Sequence, residues 1–311
     1  MLTESLQTML PIRDSKNNPV IKVCPLLTLY FHNGHLESTR LAVSECANEF
    51  LNVFKAQLHW GILGVGKPQA FNTFPEQATR QYLDSVDVTD DDGWQIYWHS
   101  DEPEHASDCG FQASGCSQQQ SEELGHLSYL SVHFPLHSAL GDPDALLALA
   151  LRWCERLKPY HGYGGMGIIH ASDRFVAAQH ENEEYALAQR FPALEVDYPL
   201  KHALWSREGI KGGNWLTILS ESWLGKLQSP DSRFTLPAPF DIHPYPGGII
   251  IRAGQSPMVA DRNQGTDTPI YRQLANALKP IRLTTHPGQF GVDPEPVEWG
   301  ASDPVKRGPV V

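Results

Sequence analysis

No apolar run in this 311-residue chain approaches the roughly 20 residues that a membrane-spanning helix needs. The longest aliphatic stretch, Ala145 to Leu151, runs straight into Arg152. The first residues, Met1-Leu2-Thr3-Glu4, have neither the basic start nor the apolar stretch of a secretory signal, so the expected location is the cytoplasm. Cysteine is sparse: there are five, an odd number at no zinc-finger spacing, which points to reduced thiols rather than a disulfide framework. These shortages argue against a secreted, membrane-spanning or collagen-like protein. What is present, 41% apolar and 10% aromatic residues, suits a globular chain with a substantial core.

The most telling shortage is of positive charge. The net charge is −12, from 24 cations against 36 acids. Acidity of this size argues against direct binding of nucleic acid, whose phosphates call for Lys and Arg. Between Arg80 and Arg152 there is no Lys or Arg at all, while thirteen Asp and Glu fall in that interval. The rest of the chain is nearly neutral, so the acidity is local. A solvated face accounts for such a stretch, and so does a docking surface for a basic partner. Its densest part runs from Asp90, Asp91 and Asp92 through Trp94, Tyr97 and Trp98 to Asp101, Glu102 and Glu104. Strand alternation puts Trp94, Ile96 and Trp98 on one face, with Gln95 and Tyr97 on the other. Aromatic anchors beside a carboxylate rim are what a protein–protein hot spot uses, and those nine residues are the candidate partner-binding set.

Around this stretch the pattern predicts an α+β fold with a mixed or mainly antiparallel sheet and packed helices. Strands are expected at Val23–Phe31, Leu58–Leu63, Leu127–Phe134, within Tyr160–His170, at Trp215–Leu219 and at 247–251. A helix is expected over Ser38–Phe54, with Val43, Ala47, Phe50, Leu51 and Phe54 on its apolar face. Another opens at Asp142-Pro143-Asp144, where Asp142 is the N-cap and Pro143 fits the first helical position. Ser220 and Thr268 are read as N-caps of two further helices, the second burying Tyr271, Leu274, Ala275 and Leu278. Both halves thus read as strand–helix–strand, a possible pseudo-repeat. Residues 100–125, rich in Ser, Gln, Gly and acids, read as a surface loop. The expected organisation is one α+β domain over 1–290, a division into 1–125 and 126–290 being left open, and a Pro-rich irregular tail over 291–311.

Catalytic and cofactor motifs are missing. Gly64-Val65-Gly66-Lys67-Pro68 lacks phosphate-loop spacing, and Lys211-Gly212-Gly213-Asn214 reads as a tight turn before a strand. His133 and His137 have i, i+4 spacing, but Pro135 lies between them and no Glu follows His133. The 14 histidines are dispersed, so no metal site and no cofactor is expected.

Lys211-Gly212-Gly213-Asn214-Trp215-Leu216-Thr217-Ile218-Leu219, His243-Pro244-Tyr245-Pro246-Gly247-Gly248-Ile249-Ile250-Ile251-Arg252-Ala253-Gly254, Asp261-Arg262-Asn263 and Leu278-Lys279-Pro280-Ile281-Arg282 carry a resemblance. Together they make the chain similar to the type VI secretion immunity family of the TsiV type. The likeness extends over about residues 20–285 and is loosest in the acidic middle. It implies an immunity protein, not an enzyme, that neutralises a cognate toxin effector. The implied toxin is a cytoplasm-acting nuclease, with the VRR-Nuc type among those paired with such relatives. The acidic stretch then faces the nuclease's DNA-binding groove, with no direct contact to nucleic acid or membrane. The stretch that carries the resemblance reads as scaffold rather than interface. An enzyme with a dispersed active site, hydrolytic or toxin-modifying, is the alternative. It predicts protection at sub-stoichiometric amounts, where a binder must match its target in number.

Overall fold

The apolar run at Pro19–Phe31 becomes the spine of the molecule, a strand buried along most of its length. The computed structural model describes residues 4–75, 77–87, 93–227 and 234–283. Their first strands are β1 (Ile12–Arg13), β2 (Pro19–Phe31), β3 (Trp60–Leu63), β4 (Gln69–Ala70), β5 (Trp94–His99) and β6 (Gly110–Gly115). There follow β7 (Ser128–His133), β8 (His161–His170), β9 (Glu195–Val196), β10 (Leu216–Ser220), β11 (Phe240–Tyr245) and β12 (Gly248–Ala253). All belong to one sheet in the order β11-β12-β10-β8-β2-β7-β6-β5-β3-β4, with β1 beside β2 and β9 beside β8. Every pairing is antiparallel except β8 with β9. The strand expected at 247–251 is thus the inner arm of a hairpin, and β2, from the first half of the chain, pairs with β7 and β8 of the second. Close strand packing constrains β8: a Cβ on Gly162 would lie 2.5 Å from the Thr28 carbonyl oxygen of β2.

The helices are α1 (Glu4–Met9), α2 (Glu37–Phe54), α3 (Ala78–Ser85), α4 (Gln118–Glu122) and α5 (Pro143–Leu157). After them come α6 (Arg174–Gln179), α7 (Glu181–Arg190), α8 (Pro199–Trp205), α9 (Glu221–Leu227) and α10 (Pro269–Ala277). The α5 start is as expected: the Asp142 carboxylate accepts from the Asp144 and Ala145 amides, each at 3.0 Å. Thr268 differs, since it precedes α10 without a side-chain cap bond. Tyr271, Leu274, Ala275 and Leu278 are buried as their spacing predicts.

Alternation sorts the sheet into two unlike faces. Leu27, Leu29, Phe31, Trp94, Ile96, Trp98, Phe111, Ala113, Leu130 and Val132 share the main core with α2 and α5. The strand–helix–strand units are both present, β2-α2-β3 and β7-α5-β8. Their strands are not equivalent, because β7, β6 and β5 separate β2 from β3 whereas β2 alone separates β7 from β8. Residues 100–125 are not the simple loop expected. They contain β6, which pairs with β5 and β7, and α4, closed by a capping box in which Ser117 and Gln120 exchange side-chain-to-backbone bonds. The Pro-rich irregular tail expected at 291–311 lies outside the described residues.

Candidate partner-binding surface

On the second face of the sheet the pairing registers line up polar and aromatic side chains in rows. Ile62, Tyr97, Gln112, Ser131, Thr28 and Tyr163 lie in register across β3, β5, β6, β7, β2 and β8. A neighbouring row contains Gln95, Ser114, Tyr129 and Tyr30. Over β2 and β7 these rows are covered: α8 and the segment before it sit there, and Leu26, Tyr30, Leu127, Tyr129, Tyr163 and Ala203 form a small buried cluster. Over β5 and β6 the cover stops. Gln95, Tyr97, Gln112 and Ser114 are half-buried, and a cleft of about 570 Å³ opens at the boundary, with Tyr97, Gln112 and Tyr129 on its floor and Leu200 and Lys201 on its α8 wall.

Beneath the cleft the polar groups satisfy one another, as buried polar groups must. Asp197 accepts from three hydroxyls: Thr28 at 2.7 Å, Ser131 at 2.9 Å and Tyr163 at 2.5 Å. The phenols of Tyr97 and Tyr129 are 3.1 Å apart. Ser107 bridges His99 Nδ1 at 3.0 Å and His133 Nε2 at 2.8 Å; with one proton, its hydroxyl donates to one ring and accepts from the other. Burial holds His99 well below the ordinary imidazole range, and burial with Lys22 nearby brings His133 down to about 3. Both rings are therefore neutral at physiological pH. Burial raises the Tyr97 and Tyr129 phenols, so they stay protonated as donors. The cleft offers fixed hydrogen-bonding groups and aromatic surface. Its Asp197 is already occupied by donors, and Ser107 is buried.

The segment that precedes α8 is anchored by a buried ion pair. Lys211 Nζ lies 3.0 Å from Glu195 Oε1, both side chains almost fully buried, and also donates to the Val196 carbonyl at 2.7 Å. Asn214 donates to the other Glu195 oxygen. The Lys211-Gly212-Gly213-Asn214 segment, expected as a tight turn, is an irregular stretch that ties in the cleft wall, with Lys211 also 4.5 Å from the centre of the Tyr163 ring.

Among the described residues, those expected to bind a partner do not form one patch. Asp90, Asp91 and Asp92 lie outside the described residues. Trp94 and Trp98 are buried at 2% and 1% exposure, packed in the main core, with the Trp94 indole donating to the Gly34 carbonyl at 2.9 Å; in this fold they are core rather than surface anchors. Tyr97 alone of the aromatics reaches the cleft. Asp101 lies 3.8 Å from Lys22, which is 2.9 Å from Asp108. Glu102 and Glu104 are exposed and line a separate groove of about 640 Å³ beside Asp14, Lys16 and His180. Cations from outside the acidic stretch meet part of its charge, Arg80 at Asp84 and Arg252 at Asp144. His99, Gln112, Tyr129, Ser131, His133 and Asp197 were missed as cleft residues; the polar second face of β5 was their one signal.

Among the described residues no three His, Cys, Asp or Glu side chains are grouped to hold a metal ion, and no helix is long and apolar enough to cross a membrane. The five cysteines are free thiols, and burial pushes Cys24, Cys46 and Cys109 up to about 12.

A family model described as TsiV, type VI immunity for VRR-NUC, matches residues 42–296. The fold is similar to that of the Pseudomonas aeruginosa T6SS protein PA0821, with a TM-score of 0.79 and 25% identity over 93% of this chain and 85% of that one. No curated protein matches the chain in sequence.

Proposed function

Because the chain belongs to the TsiV family, and is therefore a type VI immunity protein, we propose that it neutralises its cognate VRR-NUC effector by stoichiometric cover, seated across the effector's DNA-binding or active-site groove. It acts in the cytoplasm, where such an effector meets DNA, and it performs no chemistry on the toxin. Residues 1–290 work as one unit in this reading. The observation that carries it is the long cation-free stretch, of which Glu102 and Glu104 stand exposed at a groove mouth. A nuclease must present Lys and Arg to phosphate. An acidic surface steers toward that groove and speeds association, while buried contacts set the lifetime of the complex.

Two measurements test this. Titrating the chain into the effector's DNA-cleavage reaction should end cleavage near one equivalent; complete protection at a small fraction of an equivalent would mean catalysis and overturn the proposal. Reversing Asp90, Asp91, Asp92, Glu102 and Glu104 to Lys should slow association and flatten its dependence on salt. An unchanged association rate and salt slope would remove the acidic-docking part.

A further inference from the structure

Seven tryptophans lie among the described residues, and six of them are buried; Trp205, at the end of α8, is 51% exposed. The same short helix exposes Leu200 at 57% and Leu204 at 42%, one turn apart and so on one side. Its opposite side buries His202 and Ala203. Residues 124–127 run alongside the helix end, where the Leu127 amide donates to the Ala203 carbonyl at 3.4 Å and the Arg207 guanidinium donates to the Leu124 carbonyl. Leu124 itself is 48% exposed. A surface helix ordinarily turns polar residues outward, and grouped apolar exposure of this kind marks an interaction site.

We propose that the ridge formed by Leu200, Leu204 and Trp205 of α8, with Leu124 beside it, is the anchor that this immunity protein inserts into its effector next to the cationic groove that holds DNA. The assignment deepens the immunity reading above and rests on it. Two further observations carry it. First, the ridge is held rigid from below. The residues leading into α8 are tied by Lys211 and Asn214 at Glu195, by three hydroxyls at Asp197, and by the Tyr198 hydroxyl, which donates to Glu184 at 2.5 Å. A pre-ordered anchor loses little freedom on binding. Second, the charges around the ridge suit a cationic partner. Glu122 and Glu123 are exposed at its margin. The nearby cations are engaged within the chain, Arg207 with Glu208 and the Leu124 carbonyl and Lys201 over the Tyr198 ring at 5.0 Å. An aromatic and aliphatic centre with a carboxylate rim is the anatomy of a hot spot facing a basic surface.

The test uses the full chain and a catalytically inactive form of its cognate VRR-NUC effector, with binding followed by calorimetry and by acrylamide quenching of tryptophan fluorescence. Because Trp205 and Leu204 are exposed, Trp205→Ala and Leu204→Asp should leave circular dichroism and melting temperature unchanged. Each should weaken binding by at least about 30-fold, mostly through faster dissociation. Effector binding should also shield the Trp205 part of the wild-type quenching, identified by its loss in Trp205→Ala. Val65→Asp, at a site 84% exposed in a different loop, should bind like the wild type. Binding of both ridge variants within about threefold of the wild type would overturn the assignment while leaving immunity intact. So would a wild-type dimer, seen by light scattering, that Trp205→Ala converts to monomer, since a second copy would then be the occupant. Failure of the wild type to bind the effector at all would instead overturn the immunity reading, and the ridge assignment with it.

Discussion

Replacing Lys211 with Met strands the Glu195 carboxylate in a site that is almost fully buried, with the Asn214 amide still facing it. Removing one partner of a buried ion pair costs about 3–5 kcal/mol, most of it the penalty of an uncompensated charge. About 270 described residues at roughly 2.1 cal/mol/K each give an unfolding entropy near 0.6 kcal/mol/K, so the melting temperature should fall by roughly 5–9 °C. The same reasoning predicts that the double change Lys211→Met with Glu195→Met recovers most of that loss, because it removes both desolvation penalties and fills the space with apolar atoms. Scanning calorimetry of the wild type, both single variants and the double variant completes the cycle. A fall of less than about 2 °C for Lys211→Met, or a double variant no better than the worse single one, would refute the claim that this pair is what pins the segment before α8. By the same pinning, Lys211→Met should also weaken effector binding although Lys211 is buried beneath the proposed anchor.

Two further outcomes follow from the cited geometry. Burial first, then neighbouring cations, hold His133 and His161 at about 3 against an ordinary 6.5. The unfolded chain therefore binds more protons than the folded one between those values, and stability should fall as pH drops from about 6.5 toward 3. Urea midpoints at pH 7.5 and 5 should show the decline, and His161→Gln, which keeps a donor for the Ser206 carbonyl, should flatten it; an unaltered slope would count against this cause. Asp142→Ala removes both amide bonds at the α5 start and should cost about 1 kcal/mol, with Asp142→Asn close to neutral in urea unfolding.

What was legible in the chain follows from where the stabilising contacts lie. The β2 run, the α2 and α5 stripes and the Asp142-Pro143 start are local signals, written in periodicity and capping chemistry, and they appear within a few residues of expectation. Gly110–Gly115 was not legible, because its one large apolar residue is Phe111 and its strand character comes from ladders to β5 and β7, which no local pattern reports. The alternation of Trp94, Ile96 and Trp98 was legible, yet which side faced solvent was not. Helices α2 and α5 decide that, and they cover the aromatic side, leaving Tyr97 on the open one. Lys211 looked like part of a turn, and its pairing with Glu195 exists only once β9 lies beside β8. Trp205 carries no local mark of exposure in the sequence; the seat of α8 on the sheet is what leaves it outward.

The place of β2 in the sheet has a consequence during translation. Its partner on one side, β7, ends at His133, whereas the partner on the other side, β8, begins at His161 and is complete only at His170. A nascent chain can therefore ladder one edge of its longest strand while the other edge stays unpaired until α5 and β8 have left the ribosome. An unpaired apolar edge is a template for the wrong chain as readily as for the right one. Before β7 is made both edges of β2 are open, and one remains so until residue 170; across that whole span this protein depends on chaperones or on its own speed of emergence.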